Sequence, residues 1–411
     1  MFPLRAGYRM EKSQYYPIIL LATLFLTYFV ENFLRMAPNA LTPILIEELK
    51  LSYGAMGVLL SALSLIYGLM QIPSGILSNR FGSRRSILYF NILTIMGLFL
   101  FWSGMNYNCL LAAQILIGLG CSTFYINAVN LLSTWFPSNR KATAIGILSA
   151  SGGLASFASY IGFPRVVDAL GSWRPLYLGI SLILIASWVS NIFVLKEREN
   201  LEGGENRDTQ SLMQILFETV RDRRLYPFIS GYLLSTVGWV FMTWMPKFMI
   251  DVKGLTYIEV GEIASLGSIA GIPGTIVISA ISDRLKRRKM PLVGAFGLAA
   301  VLVLTFMAAP IGTPLIVFMT LNFLIGLTFS FWVLLFSMIP ETLPPGSASI
   351  GLGLVNGIGT IGFSIFAPLY GYFVDITGTY TLSNYIVQFL ILLMPLIFHI
   401  FIKECYGGIK E

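Results

Sequence analysis

The chain has 411 residues, 56% of them hydrophobic and only 11% charged, with a net charge of +7. Soluble domains average about 25% charged residues, so this composition excludes a soluble enzyme. The basic residues sit in short loops between apolar runs rather than on one polar face, which excludes a nucleic-acid partner and points to a lipid bilayer.

Residues 1–16 are basic and polar, and the apolar run from Pro17 is too long for a cleavable leader and lacks a small-residue cleavage site. A helix needs about 20 apolar residues to cross about 30 Å of hydrocarbon. On that ruler twelve spans are predicted: 17–43, 52–78, 86–105, 109–135, 141–163, 175–195, 225–249, 257–281, 290–309, 313–338, 347–373 and 381–402. With the N-terminus placed in the cytoplasm, 21 of the 27 Lys and Arg residues fall on cytoplasmic segments. Cationic loops resist translocation, so both termini are expected in the cytoplasm, in a plasma (inner) membrane. The charged stretch 196–224 reads as a linker between an N-terminal bundle, 1–195, and a C-terminal bundle, 225–411. Within it, 210–220 is either an amphipathic surface helix with Leu212, Ile215 and Leu216 toward the membrane or an unstructured tether.

A basic turn occurs twice. The first copy runs Gly75-Ile-Leu-Ser-Asn79-Arg80-Phe-Gly82-Ser-Arg84-Arg85, and the second Ser279-Ala-Ile-Ser-Asp283-Arg284-Leu-Lys286-Arg287-Arg288. Asn79 and Asp283 are 204 residues apart, about half the chain, which predicts two membrane-embedded halves of like topology.

Charges inside a bilayer are costly and mark function. Glu31 and Arg35 lie well inside the first span, and their i, i+4 spacing puts them on one helical face. The planar fork of an arginine suits a carboxylate, which makes Arg35 the candidate anchor for an anionic solute. Glu31 is then a gate partner or proton acceptor, or the two form a structural ion pair. Lys247, near one end of the seventh span, reads as an interfacial anchor, and His399, at the inner end of the twelfth, as peripheral. Cys109, Cys121 and Cys405 are too few and scattered for a disulfide framework or metal site. There is no phosphate-binding loop, metal-ligand cluster or nucleophile elbow, so no enzyme and no cofactor are expected.

The two turns resemble the signature loop of the major facilitator superfamily, Gly-x-x-x-Asp-Arg-x-Gly-Arg-Arg, which joins helices two and three and recurs in degenerate form between eight and nine. Trp135-Phe136-Pro137, the glycines Gly146, Gly152 and Gly153, and Gly171-Ser-Trp173-Arg174 are similar to further elements of that family. A narrower likeness is to its anion:cation symporter branch. It rests on Arg35 eight residues before Pro43, Glu47-Glu48 after it, Tyr67, Gln71 and Pro73, Trp244-Met-Pro246, and the stretch from Asn356 through Pro368 and Gly371 to Thr377-Gly378. The chain departs from the branch at three places. Leu34 stands where the branch has an acid before the arginine, Cys121 at its helix-four glutamate and Gln114 at the preceding arginine. Asn79 also replaces the loop's aspartate in the first turn.

The resemblance implies an all-α membrane protein, with twelve transmembrane helices in two pseudo-symmetric six-helix bundles. It places helices 1, 2, 4, 5, 7, 8, 10 and 11 around a cavity, which nominates Tyr67, Gln71, Tyr125, Asn127, Asn130, Trp239, Trp332 and Asn356 beside Arg35 for the solute. Asn79, Arg80, Asp283 and Arg284 join Glu31 as gating or coupling residues. The implied function is secondary transport of a small organic solute, most simply a carboxylate, by alternating access in a monomer, with protons or another ion as partner or as uniport. Export of amphipathic compounds or drugs, and a transporter-like receptor that binds solute without moving it, are the other readings.

Overall fold

The computed structural model describes residues 15–197 and 209–406, and every regular element among them is a helix. The expected linker residues 198–208 and the N-terminal tail 1–14 lie outside the described residues.

In chain order the helices are α1 Tyr16–Ala40, α2 Thr42–Leu49, α3 Tyr53–Leu69, α4 Gln71–Phe81, α5 Ser83–Ser103, α6 Tyr107–Cys121 and α7 Phe124–Trp135. Next come α8 Ser138–Leu170, α9 Arg174–Val194, α10 Thr209–Arg221, α11 Tyr226–Lys253 and α12 Tyr257–Leu285. The last are α13 Lys289–Ala308, α14 Leu315–Thr328, a 3-10 turn Phe329–Phe331, α15 Trp332–Thr342, α16 Pro345–Thr377 and α17 Thr381–Phe401. Among the described residues eleven helical stretches are long and apolar enough to cross a membrane, and the shorter apolar α3, continued by α4, supplies the remaining predicted crossing. Stretch 210–220 is a helix, α10, with Ile215 and Leu216 half-buried.

Several crossings are broken, for identifiable reasons. Pro73 has no N–H to donate to Leu69, so the second span stops at Leu69 and restarts at Gln71. In the tenth span the 3-10 turn is supported by Ser330, whose hydroxyl donates to Gly271 O at 3.1 Å, so the irregular backbone is covered by protein rather than lipid.

The repeat extends to the helix caps. α8 and α16 are both 33 residues long, begin after Pro137 and Pro344, and end at Gly171 and Gly378, each with φ of 66°. The left-handed conformation at those two stops is open to glycine at no steric cost.

Contacts gather the chain into two units, one of Met1–Pro38 with Met70–Gly204 and the other of Asn39–Leu69 with Glu205–Glu411. In the first unit, Tyr16, Leu20, Leu24, Phe124, Leu131 and Leu148 share a core cluster. A second layer stacks Phe101 on Tyr177 (centroids 5.0 Å apart) with Trp173 edge-on at 5.6 Å. In the second unit, Trp244 stacks on Tyr370 at 5.6 Å and donates its Nε1–H to Ala367 O at 3.1 Å. There α3 lies against α16 so closely that a Cβ on Gly57 would fall 2.6 Å from both Ala367 O and Pro368 Cα.

Candidate functional site

In the first unit, α1 brings its charged face into the protein. Glu31 is 1% exposed, and its Oε1 has no hydrogen-bond partner among the described residues. Arg35, one turn on, is half-buried and electrostatically coupled to Glu31. Cys121, at the end of α6, lies within electrostatic reach of both, and its sulfur is 3.8 Å from the Thr94 hydroxyl. The helix-four position where the branch carries an acid therefore lies on the side of Glu31, but it holds a thiol.

Beside this pair stands an aromatic wall. Tyr28 stacks on Phe124 at 5.7 Å with rings 4° from parallel, and packs on Tyr125 at 5.5 Å with the rings tilted by 33°. Tyr125 in turn is fixed by a 2.9 Å hydrogen bond between its hydroxyl and that of Ser149. Asn32 donates its amide to Tyr28 O at 2.7 Å. Of the small residues singled out in the fifth span, Gly152 faces this group, since a Cβ there would sit 3.9 Å from the Asn32 amide, while Gly146 faces open space. Tyr28 and Asn32 are not among the residues that the sequence nominates. A signal for them is present: Tyr28, Glu31, Asn32 and Arg35 follow a 3–4 residue spacing and so share one stripe of α1.

The other candidates in this unit lie at varied depths. Asn127 is fully buried, accepting from the Ser78 hydroxyl at 2.5 Å and donating to Thr123 O at 2.7 Å, so its amide links α7 to α4. Gln71 is half-buried, Asn130 and Arg80 are exposed, and the Arg80 guanidinium lies 5.8 Å from the Phe81 ring. Asn79 is on α4, and its side chain lies outside the described residues.

In the second unit, Tyr67 lies within electrostatic reach of Tyr232, which meets Phe336 edge-on at 5.0 Å, and Phe336 meets Trp332 at 6.0 Å. Half-buried Asn356 accepts at its backbone carbonyl from Thr360, whose side chain faces Gly68. Trp239 is separate from this chain of rings, packs 5.8 Å from Phe329 and is 43% exposed. Lys247 is buried and bonded to Asp251 at 2.7 Å, so it is an ion-pair partner rather than a snorkelling anchor. His399 is exposed.

At the basic turns each unit uses a glutamate that by sequence belongs to a tail or linker. Glu197 Oε1 accepts from the Ser83 N–H at 2.6 Å, and Glu404 accepts from the N–H groups of Arg288 and Lys289 at 2.8 and 3.1 Å. Both carboxylates thus cap the helix that follows the turn, where unpaired N–H groups attract an anion. Lys196-Glu197 and Lys403-Glu404 are 207 residues apart, the same offset as the caps of α8 and α16. The second turn carries an ionic network as well: Arg288 bonds Asp283 at 2.7 Å and Glu341 at 3.1 Å, and its guanidinium lies 4.6 Å from the Tyr406 ring. Arg284 is exposed. Burial pushes the neighbouring Cys405 thiol up to about 11, leaving it protonated. Removing a cap of this kind costs about 1 kcal/mol, so Glu404→Ala is expected to lower the unfolding midpoint of the detergent-solubilised protein. An unchanged midpoint would remove the capping role.

The sequence profile described as the Major Facilitator Superfamily matches residues 24–402. A probable galactarate/D-glucarate transporter of Bacillus subtilis is 25% identical over 373 residues, covering 81% of this chain and 80% of the relative. The hexuronate transporter of the same organism is 23% identical, with 89% of each chain covered. A probable sulfoacetate transporter of Cupriavidus necator is 22% identical, also with 89% of each covered. Among solved structures, a bacterial homolog of the human lysosomal transporter Spinster, inward-facing and unoccupied, superposes with a TM-score of 0.75 at 14% identity, covering 95% of this chain and 96% of that one. The nucleoside transporter NupG gives 0.76 at 13% identity, covering 93% and 100%. At such identities these two structures speak for the fold alone.

Proposed function

The chain belongs to the major facilitator superfamily and is a secondary membrane transporter, not an enzyme, and we propose that its solute is a small organic carboxylate held by Arg35. The observation that carries this reading is the polar stripe of α1, with Glu31 and Asn32 buried and Tyr28 and Arg35 half-buried. A guanidinium inside a bilayer-spanning segment, on the same stripe of α1 as Tyr28 and Asn32, offers charge and directed donors to an anion, and the Tyr28–Tyr125 rings offer a wall to its carbon skeleton. The relatives named for galactarate, glucarate, hexuronate and sulfoacetate all concern organic acids, which favours the same class. Asn127 has the role of linking α7 to α4. Transport runs by alternating access in a monomer of two halves, 1–195 and 225–411, in the inner membrane, with both termini cytoplasmic. Thermal unfolding of the purified protein with sugar acids and with neutral sugars of the same skeleton tests the carboxylate. Binding stabilises by about 2.7 kcal/mol at 100 times Kd, so sugar acids should raise the midpoint and neutral sugars should not. Equal shifts would overturn the reading.

Glu31 is the coupling acid in this proposal, because it is the carboxylate one turn from the anchor and its Oε1 lacks a donor among the described residues. Glu31→Gln should keep solute counterflow and lose acceleration by an inward proton gradient. If the variant still follows the gradient, Glu31 is structural.

A further inference from the structure

A cavity in the second unit shares no residue with the Arg35 stripe. Its volume is about 760 Å³, within the roughly 300–1,000 Å³ typical of small-molecule sites. It lies where α11, α13 and α16 end and α17 begins, and α13 starts directly after the second basic turn, so the cavity sits at the opposite helix ends. Several charged groups around it are already satisfied. Asp251 accepts from Lys247 at 2.7 Å, from the Tyr380 hydroxyl at 2.5 Å and from the Tyr53 hydroxyl at 2.9 Å. Lys253 donates to Met307 O and Ala309 O at 3.1 and 2.6 Å, with the Phe248 ring 5.5 Å away, so its charge is spent on the carbonyl end of α13.

Two acceptors in the wall are left over. Gln388 is 6% exposed, and its amide nitrogen donates to Ala300 O at 3.0 Å, which fixes which way the amide points. Its Oε1 then has no donor among the described residues, and a buried acceptor left unmade is costly. Asp375, exposed near the end of α16, accepts from Tyr53 N at 2.8 Å and Gly54 N at 2.7 Å, which uses two of a carboxylate's roughly four acceptor positions. No cation among the described residues pairs with it. Phe248, Tyr380 and Tyr385 give the same cavity an aromatic wall. We propose that it is a binding site for a primary ammonium ion, whose N–H groups go to Asp375 and to Gln388 Oε1 and whose alkyl part lies against the rings. Both leftover groups are acceptors, so the ligand donates. One of them is a carboxylate without a counterion, so the ligand is cationic, and aromatic faces attract a cation. The ammonium belongs to a free amine or to the ethanolamine head of a phospholipid. The site stands independently of the solute reading.

Thermal unfolding of the purified full chain in detergent tests this. Binding to the native state raises the midpoint, so n-butylammonium chloride should raise it above its value in equal sodium chloride. n-Butanol, which lacks the charge, and tetramethylammonium, which lacks the N–H groups, should not. Gln388→Leu and Asp375→Asn should each weaken the amine at least tenfold. Asp375→Asn keeps an oxygen for the start of α3, and it answers the question if Gln388→Leu does not fold. Lipid discs separate the two sources. If the ethanolamine head is the occupant, the shift by the amine survives in phosphatidylcholine discs and is lost in phosphatidylethanolamine discs, whereas a free-amine site keeps it in both. Equal shifts by butylammonium and either control would overturn the site, as would an undiminished shift in both variants. Absence of any shift in detergent and in both kinds of disc would also overturn it, leaving the cavity to water alone.

Discussion

Arg35→Ala is expected to reduce solute uptake at least 100-fold while the protein still folds. A hydrogen bond to a charged group contributes about 1.5–3 kcal/mol, and a fork that meets a carboxylate makes two, so tenfold per 1.4 kcal/mol sets that scale. The loss should fall on binding, and thermal stabilisation by sugar acids should vanish with it. Arg35→Lys keeps the charge without the fork and should recover part of the activity. Removing Arg35 also leaves the buried Glu31 without its countercharge, and an uncompensated buried ion destabilises a fold. The double variant R35A/E31Q removes that complication. Wild-type uptake in either variant would end the anchor role.

Gly57→Val is the second large effect, and it concerns packing. A Cβ at that position meets backbone on both sides, 2.6 Å from Ala367 O and from Pro368 Cα. Neither atom can rotate away, so α3 and α16 must separate. Overpacking a well-packed core costs about 1–3 kcal/mol, and a contact between two backbones belongs at the upper end. Both the unfolding midpoint in detergent and uptake should fall. Gly75 and Gly146 have nothing within 4 Å of an added Cβ, and alanine at either should leave the midpoint unchanged. A stable, active G57V protein would refute the close approach of the two helices.

The candidate site is partly legible in the chain. Glu31 and Arg35 stand out because ionised groups are rare in apolar spans, and the i, i+4 rule puts them on one face from sequence alone. Tyr28 and Asn32 do not stand out, since aromatic and amide side chains on a membrane helix are as common in packing as in binding. Glu197 and Glu404 are legible in principle, as a repeated Lys-Glu at a constant offset. They look like solvated charge because nothing local shows that a carboxylate after the sixth or twelfth span reaches the start of the third or ninth. Asp251 and Asp375 escape for the same reason, being separated from Tyr53 by 198 and 322 positions.

Composition, span length and the repeated basic turn determined the bilayer environment, the helical class and the twofold plan. These depend on transfer free energy and local backbone geometry, which each segment carries alone. Which faces meet was decided only by tertiary structure. Gly57 became a contact point, Lys247 an ion-pair partner and Asn127 an interhelical link because residues far along the chain were brought to them. The hydrophobic pattern of a membrane helix hardly distinguishes lipid from protein, since both are apolar. The basic turn was legible as a repeat, but that both copies lead into a glutamate-capped helix, and that Arg288 ties the second to Asp283 and Glu341, was settled by long-range packing.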